Sequence, residues 1–145
     1  MIARRAAALV LLLLAVMPAS AQQAVDAGDY RVLYAAINSA QLTPEIARRY
    51  GITRARDTAL ITFNAQRRDG GSYTAVAATG TATVRSLIGN RQKLDLRPLR
   101  EQGIDTLIGT TQFADGEYLI IDAQVLPQGS STPIPVSFKQ QFYRD

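Results

Sequence analysis

The sequence predicts an all-β fold: a two-sheet antiparallel β-sandwich of immunoglobulin-like type, with about seven strands and one short helix after the first strand. Two observations support this. Apolar and polar residues alternate repeatedly with a period of two, and clusters of Gly, Pro, Asn and Asp separate the alternating runs. No long segment has a helical period, and antiparallel strands with one solvated face are typical of sandwiches. A small closed barrel is the alternative.

The N-terminus has the organisation of a secretory signal peptide. Arg4 and Arg5 form a basic start, an apolar run follows over residues 6–17, and small residues end at Ala21. The apolar run is shorter than the roughly 20 residues that span a bilayer as a helix. We therefore expect cleavage near Ala21, a periplasmic location in a Gram-negative bacterium, and no integral membrane span after cleavage.

Cleavage divides the chain into three parts. These are a signal peptide over residues 1–21, a flexible lead-in over residues 22–28, and a single β-sandwich domain over residues 29–145. A mature chain of this size can bury a core of its own without disulfides.

The first strand is predicted at Tyr30–Asn38, and the only helix at Pro44–Tyr50. Thr43 can cap the helix, proline suits its first position, and Gly51 is placed to end it. The other strands are predicted at Ala59–Arg67, Tyr73–Val84, Lys93–Arg97 (ended by Pro98), Ile104–Phe113, Tyr118–Leu126 and Ile134–Tyr143. Gly80 inside the third strand indicates a bulge or a close approach of backbones.

The composition excludes several kinds of chemistry. The chain has no His, no Cys and no Trp, so a Ser-His-Asp triad, a cysteine nucleophile, a disulfide and a Cys/His zinc site are all impossible. We expect no cofactor, no metal and no enzymatic activity. The chain has 16 basic and 12 acidic residues, and loss of Arg4 and Arg5 leaves only a small positive surplus. That weak charge does not favour nucleic-acid binding.

The segment around the helix carries the most distinctive polar residues. Arg48, Arg49, Arg54 and Arg56 surround the helix end and could bind a carboxylate or phosphate. A solvated helix end, stabilised by the helix dipole, explains the same residues without a ligand. The carboxylates of the later strands, such as Asp95 and Asp122, are interpreted as solvated strand and turn residues.

The mature chain resembles an uncharacterised proteobacterial family, domain of unknown function 4426. The resemblance rests on Gly28-Asp29-Tyr30, Asn38-Ser39, Pro44-Glu45-Ile46-Ala47, Tyr50-Gly51-Ile52 with Arg54 and Arg56, Gly80-Thr81-Ala82, and the closing Phe138-Lys139-Gln140-Gln141-Phe142-Tyr143. It implies a periplasmic β-sandwich and supplies no catalytic residues. It directs attention to Asn38, Ser39, Tyr50, Arg54 and Arg56 as candidate binding residues.

Three functions are compatible with these observations. The leading one is a non-catalytic module that binds a periplasmic or envelope protein, or another envelope component, through the Asn38–Asp57 segment or an exposed sheet edge. A carrier of a small anionic ligand or lipid is the alternative, and it requires an apolar pocket with Arg54 or Arg56 at its mouth. A hydrolase that uses carboxylates alone is less favoured, and it requires two carboxyl groups in one cleft.

Overall fold

The computed structural model describes residues 23–144, which contain ten strands, one α-helix and one short 3-10 turn (Ser39–Gln41). The expected signal peptide lies outside these residues. The elements are β1 (Gln23–Ala27), β2 (Tyr30–Asn38), α1 (Pro44–Tyr50), β3 (Thr58–Asp69), β4 (Ser72–Val76), β5 (Ala78–Ser86), β6 (Arg91–Leu94), β7 (Arg97–Glu101), β8 (Ile104–Gln112), β9 (Glu117–Pro127) and β10 (Ile134–Phe142).

The strands form two antiparallel sheets, which confirms the all-β class with one short helix. Sheet A has the order β1-β2-β3-β8-β7, with β4 pairing to the far end of β3. Sheet B has the order β10-β9-β5-β6. The chain passes from sheet A to sheet B at Ala77, returns at residues 95–96, and crosses again at residues 113–116. The finer immunoglobulin-like topology stays a prediction.

The inner faces of the two sheets contribute to one apolar core. Fully buried side chains come from both sheets: Val32, Ile61 and Phe63 from sheet A, and Ile121, Val125 and Val136 from sheet B. They are the inward positions that the period-two patterns of β3, β9 and β10 predict. Burial of such side chains is the main favourable contribution to folding.

A second apolar cluster lies on the outer face of sheet A. Leu42, Ala47 and Ile52 from the segment around α1 pack against Leu60 of β3 and Ile108 of β8. The helix therefore covers part of this face, which explains why β3 is buried on both sides. No helix within residues 23–144 is long and apolar enough to cross a membrane.

The ends of α1 agree with the sequence prediction. The backbone N–H of Ile46 donates to the Thr43 hydroxyl at 3.2 Å, and Pro44 takes the first position. Gly51 ends the helix with a φ of +66°, the left-handed conformation that glycine adopts without strain.

Residues 23–144 contain ten strands, so the prediction of about seven was too low. Residues 23–27 of the expected lead-in form β1, which pairs with β2 across a tight turn. The predicted third strand is two strands in different sheets, β4 and β5. The predicted Lys93–Arg97 strand is likewise replaced by β6 and β7, and Pro98 lies inside β7 instead of ending a strand. Since β7 is an edge strand, proline is tolerated there.

Candidate functional site

Asn38, the last residue of β2, joins three parts of the chain. The residue is 7% exposed. The amide Nδ2 donates to the carbonyl oxygens of Arg56 (3.1 Å) and Tyr143 (2.9 Å), and Oδ1 accepts from the backbone N–H of Ala40 at 2.9 Å. Both amide donors are therefore used by the protein's own backbone. Asn38 braces the fold and leaves little capacity for a ligand.

Ser39 has a similar role beside it. The residue is fully buried, and its hydroxyl donates to the Ala55 carbonyl at 3.0 Å and accepts from the Ala55 N–H at 3.1 Å. These bonds, with those of Asn38, close residues 39–57 into a loop whose two ends are held together. We call residues 39–57 the helical connection.

Tyr50 lies at the opposite end of the helical connection and is half-buried. A hydrogen bond to the Glu101 carboxylate raises the pKa of the Tyr50 phenol, and burial adds to the rise. Arg49 Nη1 lies 2.6 Å from the same carboxylate. Hydrogen bonds first from Tyr50 and then from Arg49 hold the pKa of Glu101 below its usual value. The contacts of Tyr50 and Arg49 with Glu101 attach α1 to β7.

We expect Glu101→Gln to lower the pKa of Tyr50, because the amide removes the charged acceptor that stabilises the protonated phenol. In the native protein this hydrogen bond stabilises the docked helix below the usual pKa of tyrosine and is lost as pH rises through the raised value. Ultraviolet titration of tyrosinate, taken as the difference from Tyr50→Phe, measures the ionisation midpoint of Tyr50. Glu45→Gln is the matched control, since Glu45 contacts Arg49 at 3.5 Å without bonding to Tyr50. An unchanged midpoint in Glu101→Gln would contradict the assignment.

The arginines of the helical connection do not converge on one place. The exposed Arg54 donates to the Ala40 carbonyl at 3.0 Å, next to the contacts of Asn38 and Ser39. Arg56 is exposed, and its carbonyl accepts from Asn38. Arg49 points instead to Glu101. Of the five candidate residues, the structure thus groups Asn38, Ser39, Arg54 and Arg56 where the connection closes, and places Tyr50 apart.

A cleft of about 610 Å³ lies between the helical connection and β8. We call it the β8 cleft. One wall is formed by residues 51–53, 55, 57 and 58, the floor is residues 108–112 of β8, and the far side carries Asp95 and Arg97. The Arg97 guanidinium donates to the Tyr50 carbonyl and so spans from β7 to the end of the helix. The lining includes neither Arg54, Arg56 nor a tyrosine, which differs from the arginine-mouthed pocket that the carrier hypothesis requires.

The β8 cleft follows an incomplete edge of sheet A. On one side β8 pairs with β3 as far as Gln112, but on the other its pairing with β7 covers residues 104–108 and ends at Ile108. Within residues 23–144, the β8 residues 109–112 therefore have no strand partner on the β7 side. The chain bends away there, because residues 95–96 cross between the sheets.

Sequence reasoning missed the β8 half of this site. Asp95 and Arg97 lie at a sheet crossing that period-two patterning does not reveal. A glycine inside a predicted strand is a known sign of close backbone approach, and Gly109 was such a signal. A Cβ on Gly109 would lie 2.8 Å from the Asp95 carbonyl oxygen.

The donor set of the described residues does not fit a transition-metal site. Copper and zinc prefer imidazole and sulfur ligands, and the chain has no His or Cys. Its two methionines, Met1 and Met17, lie outside residues 23–144. Within that range no group of three or more His, Cys, Asp or Glu side chains could hold an ion.

Three solved structures share this fold. A crystal structure of a DUF4426 family protein from Pseudomonas aeruginosa PAO1 is 24% identical and has a TM-score of 0.74, covering 86% of this chain and 97% of its own. FetP of uropathogenic Escherichia coli strain F11, expressed in the periplasm, is 11% identical with a TM-score of 0.62, covering 86% and 95%. A copper-bound variant of that FetP, in which one glutamate is replaced by glutamine, is also 11% identical, with a TM-score of 0.60 and coverage of 86% and 97%.

At these identities the likeness shows the fold alone. Among curated proteins, none has a sequence that matches this chain significantly. The sequence does match one family profile, described as a domain of unknown function (DUF4426), over residues 24–145. That match spans nearly all of the chain outside the expected signal peptide and confirms the resemblance drawn from the sequence. The chain belongs to the DUF4426 family.

Proposed function

We propose that the chain is a non-catalytic binding module of the periplasm, and that the β8 cleft takes an extended segment of an envelope protein. The observation that carries the proposal is the unpaired edge of β8 beside the cleft. Free strand edges are the places where an extended peptide adds main-chain hydrogen bonds to a sheet. The unpaired stretch of β8 covers residues 109–112, a length of about 13 Å.

The lining of the β8 cleft favours a polar partner. Thr53, Thr110 and Gln112 are exposed side chains with hydrogen-bonding groups, and Asp57 and Asp95 add negative charge. Arg97 is already engaged with the end of α1. An extended segment that carries a basic or amide side chain would complement these groups.

The periplasmic location is supported by two observations. The sequence predicts a signal peptide that ends near Ala21, and a structural neighbour, FetP, was expressed in the periplasm. The copper of the other FetP structure is not carried over, since the described residues lack the ligands that copper prefers.

The absence of catalysis is part of the proposal, and the β8 cleft contains its strongest challenge. Asp57 and Asp95 both line the cleft, and a pair of carboxylates in one cleft is what a glycosidase-like hydrolase requires. Asp57 is engaged elsewhere: it lies 3.7 Å from the Arg144 guanidinium and accepts from the Thr58 hydroxyl at 3.4 Å. Because these carboxylates complement a basic or amide side chain of the partner, we expect the double variant Asp57→Asn/Asp95→Asn to bind the partner more weakly without abolishing the complex.

A photo-crosslinking residue at Thr53, on the wall of the β8 cleft, tests the proposal in cells that express the full chain. We expect one discrete adduct with an envelope protein, identified by mass spectrometry. The adduct should fall by about tenfold or more when Thr110→Lys is added, because the lysine fills the floor and leaves a charge to be desolvated by any occupant.

The matched control places the same crosslinker at Thr74, an exposed position of β4 that does not line the β8 cleft. The same adduct from Thr74, or an adduct from Thr53 that persists in Thr110→Lys, would contradict the proposal.

A further inference from the structure

The turn between β5 and β6 presents two large apolar side chains to solvent. Leu87 is 60% exposed and Ile88 is 86% exposed, at positions where turns normally carry polar residues. The turn is well held: the Ser86 carbonyl accepts from the N–H of Gly89 at 3.1 Å, and the Ser86 hydroxyl accepts from the N–H of Asn90 at 3.1 Å. Leu87 and Ile88, which we call the hairpin tip, therefore project as a fixed apolar point.

The outer face of sheet B beside the hairpin tip is basic. One cross-strand row contains Lys139, Ile120, Arg85 and Arg91, taken from β10, β9, β5 and β6. The neighbouring row ends in Lys93, opposite Thr83. We call Arg85, Arg91, Lys93 and Lys139 the basic face. Arg85 and Arg91 lie directly opposite each other, a placement that destabilises a sheet unless an anion compensates for it.

The protein's own carboxylates compensate for little of the positive charge on the basic face. Asp122 is the carboxylate of these two rows, and it lies 3.0 Å from Arg85. Hydrogen bonds from Ser137 and then Arg85 hold the pKa of Asp122 below its usual value. Within residues 23–144, none of Arg91, Lys93 and Lys139 forms an ion pair.

An amphipathic aromatic side chain lies next to the basic face. Tyr118 is 39% exposed on β9, and Lys139 Nζ lies 5.4 Å from the centre of its ring. Tyrosine and lysine both combine an apolar body with a polar tip, which suits the boundary between headgroups and acyl chains. The apolar hairpin tip, with cations and a tyrosine beside it, therefore complements a surface that has an apolar interior and an anionic outer layer.

We propose that the hairpin tip inserts Leu87 and Ile88 into the interface of an anionic phospholipid bilayer, while the basic face lies against its headgroups. A protruding point of two side chains is small for a protein interface, which usually buries about 800 Å² on each partner. Insertion into lipid needs no complementary pocket. The surface is separate from the β8 cleft, so the two proposals stand independently.

The absence of tryptophan from the chain gives a direct test. Ile88→Trp places a single tryptophan at the hairpin tip, and Ile104→Trp places one at an exposed apolar position of sheet A as the matched control. With vesicles containing phosphatidylglycerol, we expect a blue shift and quenching by brominated acyl chains for the Ile88→Trp variant only. Vesicles of phosphatidylcholine alone should give neither.

The charge requirement is tested in the same reporter. Arg91→Gln with Lys93→Gln should weaken binding to phosphatidylglycerol vesicles roughly 30-fold, since each cation near an anionic surface contributes about a factor of five. All variants share the same N-terminal segment, so its contribution to binding cancels. Emission from Ile88→Trp that does not respond to vesicles, or that responds only to an oligonucleotide or a protein, would overturn the proposal. An equal response to uncharged vesicles would overturn it as well.

Discussion

Asn38→Ala should lower the free energy of unfolding by about 2–4 kcal/mol. The substitution removes the donors to the carbonyls of Arg56 and Tyr143 and the acceptor for the N–H of Ala40. Because Asn38 is 7% exposed, water cannot take the place of its side chain at all three backbone groups in the folded state. Chemical denaturation measures this loss when all variants are fitted with the same dependence of the unfolding free energy on denaturant concentration.

Two further variants show whether the donors of Asn38 matter. Asn90→Ala is the control, since Asn90 is an exposed turn residue, and we expect a change within about 0.5 kcal/mol. Asn38→Asp keeps the acceptor but directs a carboxylate oxygen at two carbonyls, so it should be destabilised about as much as Asn38→Ala. If Asn38→Asp were as stable as the native protein, or Asn38→Ala as stable as the Asn90→Ala control, the hydrogen bonds of Asn38 would not contribute to the stability of the fold.

The hydrogen bonds of Asn38 also connect the stability of the fold to the shape of the β8 cleft. Asn38 holds Arg56 and Ser39 holds Ala55, and Ala55 with its neighbour Asp57 lies in one wall of the cleft. Loss of the Asn38 bonds frees this wall without touching the floor. Asn38 and Ser39 thus help to shape the wall of the β8 cleft, and under the proposed function the contacts with a partner would fall to other side chains.

Local physics explains which parts of the fold could be predicted. The strand Tyr30–Asn38 and the helix Pro44–Tyr50 agree with the sequence prediction at both ends. A strand is fixed by its alternation, and this helix by its Thr43 cap and by Gly51. These signals lie within a few residues of the elements they define.

The sheet crossings could not be predicted in the same way. Alternation continues through Ala77, where the chain changes sheets between β4 and β5, because a strand keeps its inward face when its partner changes. The same holds near residues 95–96. The far side of the β8 cleft, Asp95 and Arg97, is built at the second crossing, some 40 positions beyond the helical connection, and only the tertiary topology brings these parts together.

Gly109→Ala tests that second crossing, and we expect it to lower the free energy of unfolding by about 1–3 kcal/mol. An added Cβ would lie 2.8 Å from the Asp95 carbonyl oxygen and 3.0 Å from the Leu94 side chain, so residues 94–95 must move away from β8. Gly71→Ala is the matched control, because nothing lies within 4 Å of a Cβ there. It should be neutral or slightly stabilising.

The origin of the effect can be separated by adding Leu94→Ala to Gly109→Ala. If the side chain of Leu94 were the obstacle, its truncation would restore stability. The closest contact is a backbone carbonyl, which truncation does not remove, and Leu94 is itself buried in the core at 2% exposure. We therefore expect the double variant to be less stable than either single variant, with a loss smaller than the sum of the two because the residues are in contact. Rescue by Leu94→Ala would show that backbone approach does not require glycine here, and the crossing would then owe its position to side-chain packing.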